Sequence, residues 1–374
     1  MGTKMTKQTH FAVTTANGNS PPRASTTAQS PPVSRAHPSG GVPKEEEEEE
    51  EKKKKQELIG ALRNTRSSQV PCTGKDVVEV GASMSPLESA RVLWENHVMG
   101  APVWDEEARE YVGIFDMRDL LSTVLLEQSR KDAQRSDDHT SDLNATWFLD
   151  NLHTAYLAAR NPFVPDYHQD TTLLDLCKVL CRKETHMVPL VDPTTKRCVR
   201  VLSKSYIVKF LSENVTLPQL TLQEAKFPYK KRVIQAPDNV SAQQVFELMD
   251  RYRLSGIAII DSKTRKLVAN TSASDIKSAI RVGDDSGVVL DMKLDILSYL
   301  AQVRQHSTID RYPCAHVHES STVAHAVDLL SKTGLHRVFV VNDQMHPVGV
   351  VSVTDVVQYI VRCVEEEDEA QRTV

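Results

Sequence analysis

One arrangement of apolar and polar positions occurs four times along the chain, from about residue 75 onward. Each copy has an apolar stretch with helical spacing, a short β-type run that ends in Asp or Asn, a turn, a second β-type run, and a polar cluster that opens another helix. Short strands that alternate with helices predict an α/β (α+β) fold class. Units of this size bury a core only when they pack against partners.

The spacing between two marker positions is nearly constant among the four copies. The paired markers are Asp105 and Asp119, Asp192 and Tyr206, Asp261 and Asp275, and Asn342 and Asp355. The separation is identical in the first three copies and one residue shorter in the fourth. Such regular spacing indicates internal repeats. We place these repeats at residues 75–126, 165–215, 230–284 and 312–364.

Residues 1–55 differ from the rest, because they consist of Ser, Thr, Pro, Gln and charged residues with one isolated aromatic, Phe11. Such a segment cannot bury enough apolar surface to offset the entropy lost on ordering, so we predict a disordered tail. It ends in Glu45–Glu51 followed by Lys52–Lys55, which places Glu and Lys four residues apart and allows a short solvated helix running into 56–66. A charged spacer is the interpretation that we favour.

The chain has a formal net charge of −5, from 45 Lys and Arg against 50 Asp and Glu. This mildly acidic balance argues against nucleic-acid binding, which needs a basic excess to neutralise phosphates. No apolar run approaches the roughly 20 residues of a transmembrane segment, and the start lacks the apolar core of a secretory signal. Gly2 and Thr6 fit the loose N-myristoylation pattern, which often arises by chance. Glu365–Glu369 forms a second acidic tail.

The six cysteines are sparse, which indicates a reduced, cytoplasmic or nuclear protein and not a disulfide framework. Cys177 and Cys181 lie four residues apart, on one face of a helix, and in principle they share a metal. Buried thiols are the favoured interpretation, because no further ligand completes that site. His316 and His318 alternate on an extended segment and also lack a third ligand, so we expect no metal site.

The four copies, three of them ending in Asp before an apolar helix, resemble cystathionine-β-synthase-type (CBS) domains, which are small βαββα units that pair into Bateman modules. Leu335–Asn342 and Val348–Gln358 are similar to the fourth repeat of the γ regulatory subunits of AMP-activated protein kinase, and Asn96–Asp105 is similar to their first repeat. Tyr206 stands where that family also lacks an Asp. The resemblance implies two Bateman modules closed into a pseudo-symmetric disc.

The acidic residue that opens a helix has two interpretations. A carboxylate there accepts two ribose hydroxyls, and the free N–H groups of the same helix start favour phosphate. Alternatively, a Ser-x-x-Asp motif caps the helix. Equivalent positions in three repeats that match the family favour nucleotide sites. These positions are Asp119, Asp275 and Asp355.

The resemblance implies that the third and fourth copies form the best-preserved nucleotide site. Its residues are Asp275, Ser272, Ser274, Arg304, His336 and Arg337. A pseudo-symmetric partner site uses Asp355, Ser352, Thr354 and Ser255. In this interpretation the Asp residues bind ribose, while the His-Arg pair and Arg304 bind phosphate.

The first half of the chain departs from the family pattern. Met99 replaces the Arg expected in the first repeat, and Met187 does so in the second repeat. Asp116 and Arg118 replace the hydroxyl residues expected before Asp119. Methionine cannot supply the bidentate phosphate contact of Arg, so this half has only weaker candidates. These candidates are Asp119, His186 and Lys204.

The sequence contains none of the hydrolase, metalloprotease, phosphate-loop or dinucleotide motifs, so we expect no enzyme activity. The resemblance implies a regulatory subunit that senses AMP, ADP and ATP, has no tightly bound cofactor, and works with a protein kinase catalytic subunit and a scaffolding β-type subunit. A CBS-domain scaffold with weak or lost nucleotide sensing is the alternative, and an enzyme of unrecognised type is a remote third interpretation.

Overall fold

The repeats define the architecture of a computed structural model, which describes residues 44–71, 77–136, 152–167, 171–182, 185–279, 291–305 and 314–372. These residues belong to a compact unit that spans Lys44–Val374. Gly2, Thr6 and Phe11 lie outside the described residues. The predicted mixed α/β class is confirmed, because each repeat joins antiparallel strands to flanking helices.

The first half of the chain begins with a helix that precedes the repeats, α1 (Lys44–Asn64). The first repeat contains β1 (Val80–Gly81), α2 (Pro86–Glu95), β2 (Gly100–Asp105), β3 (Glu110–Asp116) and α3 (Met117–Ser136). A short helix, α4 (Thr154–Ala158), follows in the connection. The second repeat contains α5 (Leu173–Leu180), β4 (Met187–Val191), β5 (Cys198–Ser203) and α6 (Lys204–Asn214).

The second half repeats this order. The third repeat contains β6 (Gln235–Pro237), α7 (Ala242–Arg251), β7 (Gly256–Ile260), β8 (Leu267–Ser272), a 3₁₀ helix (Ala273–Ala279) and α8 (Ile296–Gln305). The fourth contains β9 (His316–His318), α9 (Val323–Thr333), β10 (Arg337–Val341), β11 (Pro347–Ser352) and α10 (Val353–Arg372).

Each complete sheet has a short parallel strand followed by an antiparallel pair. The strand orders are β1-β2-β3, β6-β7-β8 and β11-β10-β9, whereas the second repeat keeps only the pair β4-β5. An isolated parallel bridge between Asp166 and Leu190 takes the place of its first strand. Hydroxyl caps begin the helix after the first strand position in every repeat. They are Ser85, Thr172, Ser241 and Thr322.

Helix packing joins the first repeat to the third and the second repeat to the fourth. One core contains Leu120 of the first repeat with Phe246 and Tyr299 of the third. The other contains Leu176 of the second repeat with Val357 of the fourth. Burial of these apolar faces supplies the main driving force for holding the paired repeats together.

Contacts between strands join the third repeat to the fourth and the first repeat to the second. Ala258, Leu267, Phe339 and Val341 form a small core between the third and fourth repeats. The Tyr111 hydroxyl of the first repeat accepts a hydrogen bond from the Cys198 N–H of the second at 2.8 Å. Each repeat therefore contacts two others, and the four make a closed ring of contacts that brings the ends of their strands together.

The predicted tail over 1–55 is wrong in its last part, because α1 begins at Lys44. Lys54 and Glu50 form the expected pair four residues apart, with 2.9 Å between Nζ and Oε1. The favoured charged spacer is also wrong for 44–55, since this helix continues into buried Leu58 and Leu62 and packs against α5 and α10. The burial of Leu58 and Leu62 stabilises the helix, although its first half consists of charged residues.

Two helices run past the predicted ends of their repeats. Helix α3 extends to Ser136, beyond residue 126, and α10 extends to Arg372, beyond residue 364. Helix α10 includes Glu365–Glu369, which we predicted to be a tail. Gln56 of α1 donates to Glu367 at 2.8 Å, so this acidic turn contacts the other end of the described chain.

Candidate functional site

Three buried carboxylates occupy the same position in their repeats, the third residue of the helix that follows the second strand of the antiparallel pair. They are Asp119, Asp275 and Asp355, with exposed fractions of 6%, 5% and 2%. In each case Oδ2 accepts the backbone N–H of the residue three positions earlier, at 2.9, 2.8 and 3.0 Å. Tyr206 is the third residue of α6, so the register read from the sequence is confirmed.

The turn at Asp275 is fixed from two sides. The Thr271 hydroxyl donates to Oδ2 of Asp275 at 3.1 Å, and the hydroxyls of Ser272 and Ser274 lie 2.7 Å apart. The Tyr299 hydroxyl of α8 donates to the backbone carbonyl of Asp275 at 2.8 Å. Helix α8 therefore holds the acidic turn in place, and Tyr299 is a residue that sequence reasoning missed.

The turn at Asp355 combines a helix cap with basic neighbours. The Ser352 hydroxyl donates to Oδ2 of Asp355 at 2.7 Å and accepts the Asp355 N–H at 3.3 Å, which is a capping box. Lys231 forms an ion pair with Oδ1 of Asp355. The buried Lys204 of the second repeat donates from Nζ to the Thr354 hydroxyl at 3.2 Å. The second and fourth repeats and the first residues of the third, ahead of β6, thus meet here.

Arg337 joins the two predicted sites. It is the first residue of β10 and pairs with Ser352 across the sheet. Its Nη2 donates to the Ser255 hydroxyl at 2.7 Å, and its Nη1 donates to the carbonyl of Gly256 at 3.3 Å. A Cβ at Gly256 would lie 3.2 Å from Cδ of Arg337 and 2.8 Å from the carbonyl oxygen of Thr271, so this approach needs glycine.

The charges around Arg337 and His336 are those of a partly desolvated cationic site. Burial lowers the pKa of Arg337 to about 10, although Asp355 opposes the shift. Burial also lowers the pKa of His336, and the neighbouring Arg337 adds to this effect. His336 is therefore neutral near pH 7, and its ring can accept or donate one hydrogen bond.

In the second repeat, His186 faces the first repeat. Its Nε2 lies 2.7 Å from Nη2 of Arg118, and Arg118 in turn pairs with Asp116, with 3.0 Å between Nη2 and Oδ2. Burial lowers the pKa of His186 to about 4, with further lowering by Arg118 and Lys204. Neutral His186 thus accepts the guanidinium N–H.

Asp119 has protein partners on both carboxylate oxygens. Asn161 donates from Nδ2 to Oδ2 of Asp119 at 2.7 Å and to the Ile114 carbonyl at 3.1 Å. Arg160 lies 3.7 Å from Oδ1. Burial raises the pKa of Asp119 to about 7, and Asp116 adds to this increase. The connection after the first repeat therefore supplies Asp119 with a neutral amide partner.

Arg304 lies in the last turn of α8, the helix that carries Tyr299. Its charge lowers the pKa of the Cys314 thiol, while burial raises that pKa to about 11 as the dominant effect. The predicted residues Ser255, Lys204, Thr354, His336 and Arg337 come together near Asp355. Asp275 lies next to this group, because Gly256, which follows Ser255, pairs with Ser272 at the end of β8, just before the helix that carries Asp275.

Sequence reasoning missed Lys231, Asn161 and Arg160. Lys231 belongs to the run Lys230-Lys231-Arg232 at the start of the third repeat, and a run of basic residues is a signal for an anion-binding or acid-pairing segment. Asn161 has no comparable signal, because its partner lies in a distant helix and the intervening connection has no repeat equivalent.

Among the described residues, no group of three or more His, Cys, Asp or Glu side chains assembles that could hold a metal ion. His318 instead bonds Ser320 through Nδ1 at 2.8 Å and lies 2.9 Å from Asp343 through Nε2. Cys177 is buried at the helix face shared with Cys181, and both are free thiols. Among the helices that the structure describes, none is long and apolar enough to cross a membrane.

Comparison with known proteins agrees with this architecture. The family model for the CBS domain matches residues 69–126 and 307–362. The structure of a Methanocaldococcus jannaschii protein, described as a proposed archaeal homologue of γ-AMPK, superposes with a TM-score of 0.57 at 14% identity, over 79% of this chain and 99% of that chain. This likeness supports the fold.

Curated relatives extend over both halves of the chain. The 5′-AMP-activated protein kinase subunit gamma of Saccharomyces cerevisiae is 24% identical over 300 residues, which cover 76% of this chain and 86% of that protein. The SNF1-related protein kinase regulatory subunit gamma-1 of Arabidopsis thaliana is 22% identical over 341 residues, covering 76% and 78%. The chain therefore matches the CBS-domain model over residues 69–126 and 307–362, and it resembles the γ regulatory subunits of AMP-activated protein kinases over about three quarters of its length.

Proposed function

We propose that this chain is a non-catalytic regulatory subunit of a protein kinase complex that binds AMP, ADP or ATP between its CBS repeats. The observation that carries the proposal is the contact of Arg337 with Ser255, which brings the guanidinium of the fourth repeat, our candidate for phosphate binding, beside the third repeat. Buried Asp275 and Asp355 flank this contact on neighbouring helix starts.

The chemistry of the site suits a phosphorylated nucleoside. Each acidic turn directs Oδ2 towards a backbone N–H, so the carboxylate orientation is set before a ligand arrives. A carboxylate held in this way accepts ribose hydroxyls, and Arg337 and Lys204 supply positive charge for phosphate. Neutral His336 adds a hydrogen-bond partner without a second full charge beside Arg337.

Regulation requires more than binding. AMP, ADP and ATP differ in phosphate charge, and a nucleotide changes kinase activity only if it binds one state of the complex more tightly than the other. We propose a kinase catalytic subunit and a scaffolding β-type subunit as partners, in keeping with the names of the relatives. We also propose a cytoplasmic or nuclear location, which suits the free cysteines.

Isothermal titration calorimetry of the full chain with AMP and with ATP tests the proposal. We expect saturable binding at micromolar to millimolar nucleotide. No heat and no thermal shift at millimolar concentrations of both nucleotides would overturn it. Copurification of the tagged chain with a kinase catalytic subunit tests the assignment of the partner separately.

A scaffold without nucleotide sensing is the second candidate function. Met99 and Met187 favour it, because they remove two expected phosphate-binding side chains. The ion pair of Lys231 with Asp355 also favours it, since a protein cation already neutralises that carboxylate. A chain that copurifies with a kinase but binds neither AMP nor ATP would establish this alternative.

A further inference from the structure

Arg118 lies at the junction of the first and second repeats. As the second residue of α3, it occupies the helical position that Ser274 and Thr354 hold in the third and fourth repeats. Its Nη2 lies 2.7 Å from Nε2 of His186, so the side chain extends across the boundary into the second repeat. The guanidinium remains partly accessible, with 26% of the side chain exposed.

Positive side chains from three repeats face one another around this point. Arg118 lowers the pKa of Arg337 and of Lys204, although burial is the larger cause for both. Lys204 is only 5% exposed, and its hydrogen bond goes to the neutral hydroxyl of Thr354. The buried Nε atom of Arg337 has no hydrogen-bond partner among the described residues.

Such an arrangement is costly for the protein alone. Buried cations normally pair with carboxylates, because the desolvation of an unpaired charge is unfavourable. Three acids face the cluster: Asp116 pairs with Arg118, Asp119 is held by Asn161, and Asp355, which raises the pKa of both Lys204 and Arg337, pairs directly with Lys231. Lys204 and Arg337 therefore lack a direct carboxylate partner among the described residues, and an anion would offset the repulsion between each of them and Arg118.

The residues at the two expected arginine positions both contact the first repeat, Met187 through its side chain and Met99 through its backbone. Met187 packs so closely on the first repeat that a Cβ at Gly100 would lie 3.1 Å from Cε of Met187. Met99 accepts the backbone N–H of Met117 at 3.1 Å through its carbonyl oxygen. The start of α3 is thus tied to Met99, the residue before β2, and Arg118 follows Met117 directly.

We propose that Arg118 is a phosphate-binding residue of this chain, supplied by the start of α3 in place of the arginines replaced by Met99 and Met187, and that it recognises the charged phosphates of a nucleotide together with Lys204 and Arg337. This inference rests on the proposed function, since it names a specificity-determining group of the same site. In the sequence pattern, Arg118 is a departure that weakens the first repeat as a nucleotide site, whereas in this proposal it contributes to phosphate binding.

Asp116 competes with phosphate for the guanidinium of Arg118. Its Oδ2 lies 3.0 Å from Nη2 and 3.3 Å from Nε of Arg118, so it holds the guanidinium along one edge. Its Oδ1 accepts the backbone N–H groups of Arg118 and Asp119 at 2.8 and 3.2 Å. Asp116→Asn keeps an oxygen for the helix start and removes the charge that competes with phosphate for Arg118.

The test compares adenosine, AMP and ATP binding to the full-length chain by calorimetry. Arg118→Met should lower the affinity for ATP at least about tenfold, because it removes a charge-assisted hydrogen bond to phosphate. The affinity for adenosine, which has no phosphate, should stay within about twofold. Asp116→Asn should raise the affinity for ATP severalfold. Arg118→Lys should fall between Arg118→Met and the wild type, and the exposed Arg91→Met is the matched control.

The outcomes separate this inference from the proposed function. If the wild type binds neither AMP nor ATP, the proposed function fails and the assignment of Arg118 fails with it. If the wild type binds both and Arg118→Met binds ATP within twofold of it, only the assignment of Arg118 is overturned. Equal losses for adenosine and ATP, or a loss of ATP affinity in Asp116→Asn, would indicate a purely structural role and would overturn it as well.

Discussion

The Nη2 atom of Arg337 lies 2.7 Å from the hydroxyl oxygen of Ser255, and this contact attaches the guanidinium of the fourth repeat to the residue before β7 of the third. The guanidinium is therefore oriented before any ligand binds. Orientation by the protein lowers the entropy that binding must otherwise cost. The same contact explains why glycine follows Ser255, since a side chain at position 256 would collide with Arg337 and with Thr271.

We predict that Arg337→Ala lowers the affinity for AMP and ATP at least about tenfold, because it removes a charge-assisted phosphate contact. Ser255→Ala should have a smaller effect of about two- to fivefold, since it removes only the orientation of Arg337. Calorimetry with both nucleotides measures these changes. The exposed Arg251→Ala is the control. Unchanged affinity in Arg337→Ala would contradict the placement of phosphate at this contact.

We predict that the acidic positions differ in importance. Asp275→Ala should abolish most nucleotide binding, because it removes a ribose acceptor together with the carboxylate that accepts the Ser272 N–H and the Thr271 hydroxyl. Asp119→Ala should change nucleotide affinity less than about twofold, since Asn161 and Arg160 already occupy this carboxylate. Titration of both variants with AMP compares the two sites directly. A dominant loss in Asp119→Ala would reverse this ranking.

Asp119 should make stability depend on pH near neutrality. Its pKa is raised from 3.8 to about 7 in the folded chain, so folding favours the protonated carboxyl. This contribution is complete below about pH 4 and is lost as the pH rises through about 7. Asp119→Asn should therefore be more stable than the wild type at pH 8, by about 1–4 kcal/mol, and gain little at pH 4.

Urea unfolding at pH 4 and pH 8 measures this difference. Asp328→Asn provides a control, because Asp328 forms a surface ion pair with Lys332 at 2.8 Å. The surface pair should contribute less than about 1 kcal/mol at either pH. Identical pH profiles for Asp119→Asn and the wild type would show that Asp119 is ionised at no cost in the folded chain.

His186 should produce a second pH dependence, of opposite sense. Its pKa is lowered from 6.5 to about 4, so the folded chain favours the neutral ring. The resulting stability is present above about pH 6.5 and is lost as the pH falls towards 4. His186→Gln should lose less stability than the wild type between pH 6.5 and pH 4.5, as thermal unfolding would measure. The exposed His325→Gln should follow the wild type.

Helix α1 should contribute to the stability of the second and fourth repeats. Leu58 and Leu62 are fully buried in their common core, so Leu58→Ala or Leu62→Ala should each lower the free energy of unfolding by about 2–5 kcal/mol. Glu49→Ala, at an exposed position of the same helix, should change it by less than about 0.5 kcal/mol. Equal, small effects of all three substitutions would mean that α1 is not part of the cooperative unit.

The repeat architecture was predictable because it depends on the spacing and alternation of residues within each repeat. The constant spacing from the end of one strand to the third residue of the next helix predicted the positions of Asp119, Asp275, Asp355 and Tyr206 correctly. Strand pairing within a repeat links residues that are close in sequence, so alternation and turns are sufficient to predict it.

The errors came from non-local contacts. Composition favoured a spacer at 44–55, but Leu58 and Leu62 in the next turns find partners on α5 and α10, far along the chain. The contact of Arg118 with His186 could not be predicted from the sequence, because it depends on how two repeats pack. The amide of Asn161 reaches Asp119 from a connection that has no counterpart in the other repeats.

The packing of α1 against α10 has a consequence for synthesis on the ribosome. The apolar face of α1, with Leu58 and Leu62, is made first, whereas Ile360 and Val364 of the same core are among the last residues of that core to be translated. This face therefore remains incompletely covered until the fourth repeat has emerged. A premature stop codon before α10 would leave it permanently exposed, and such a truncated product should become a target for chaperones and proteases.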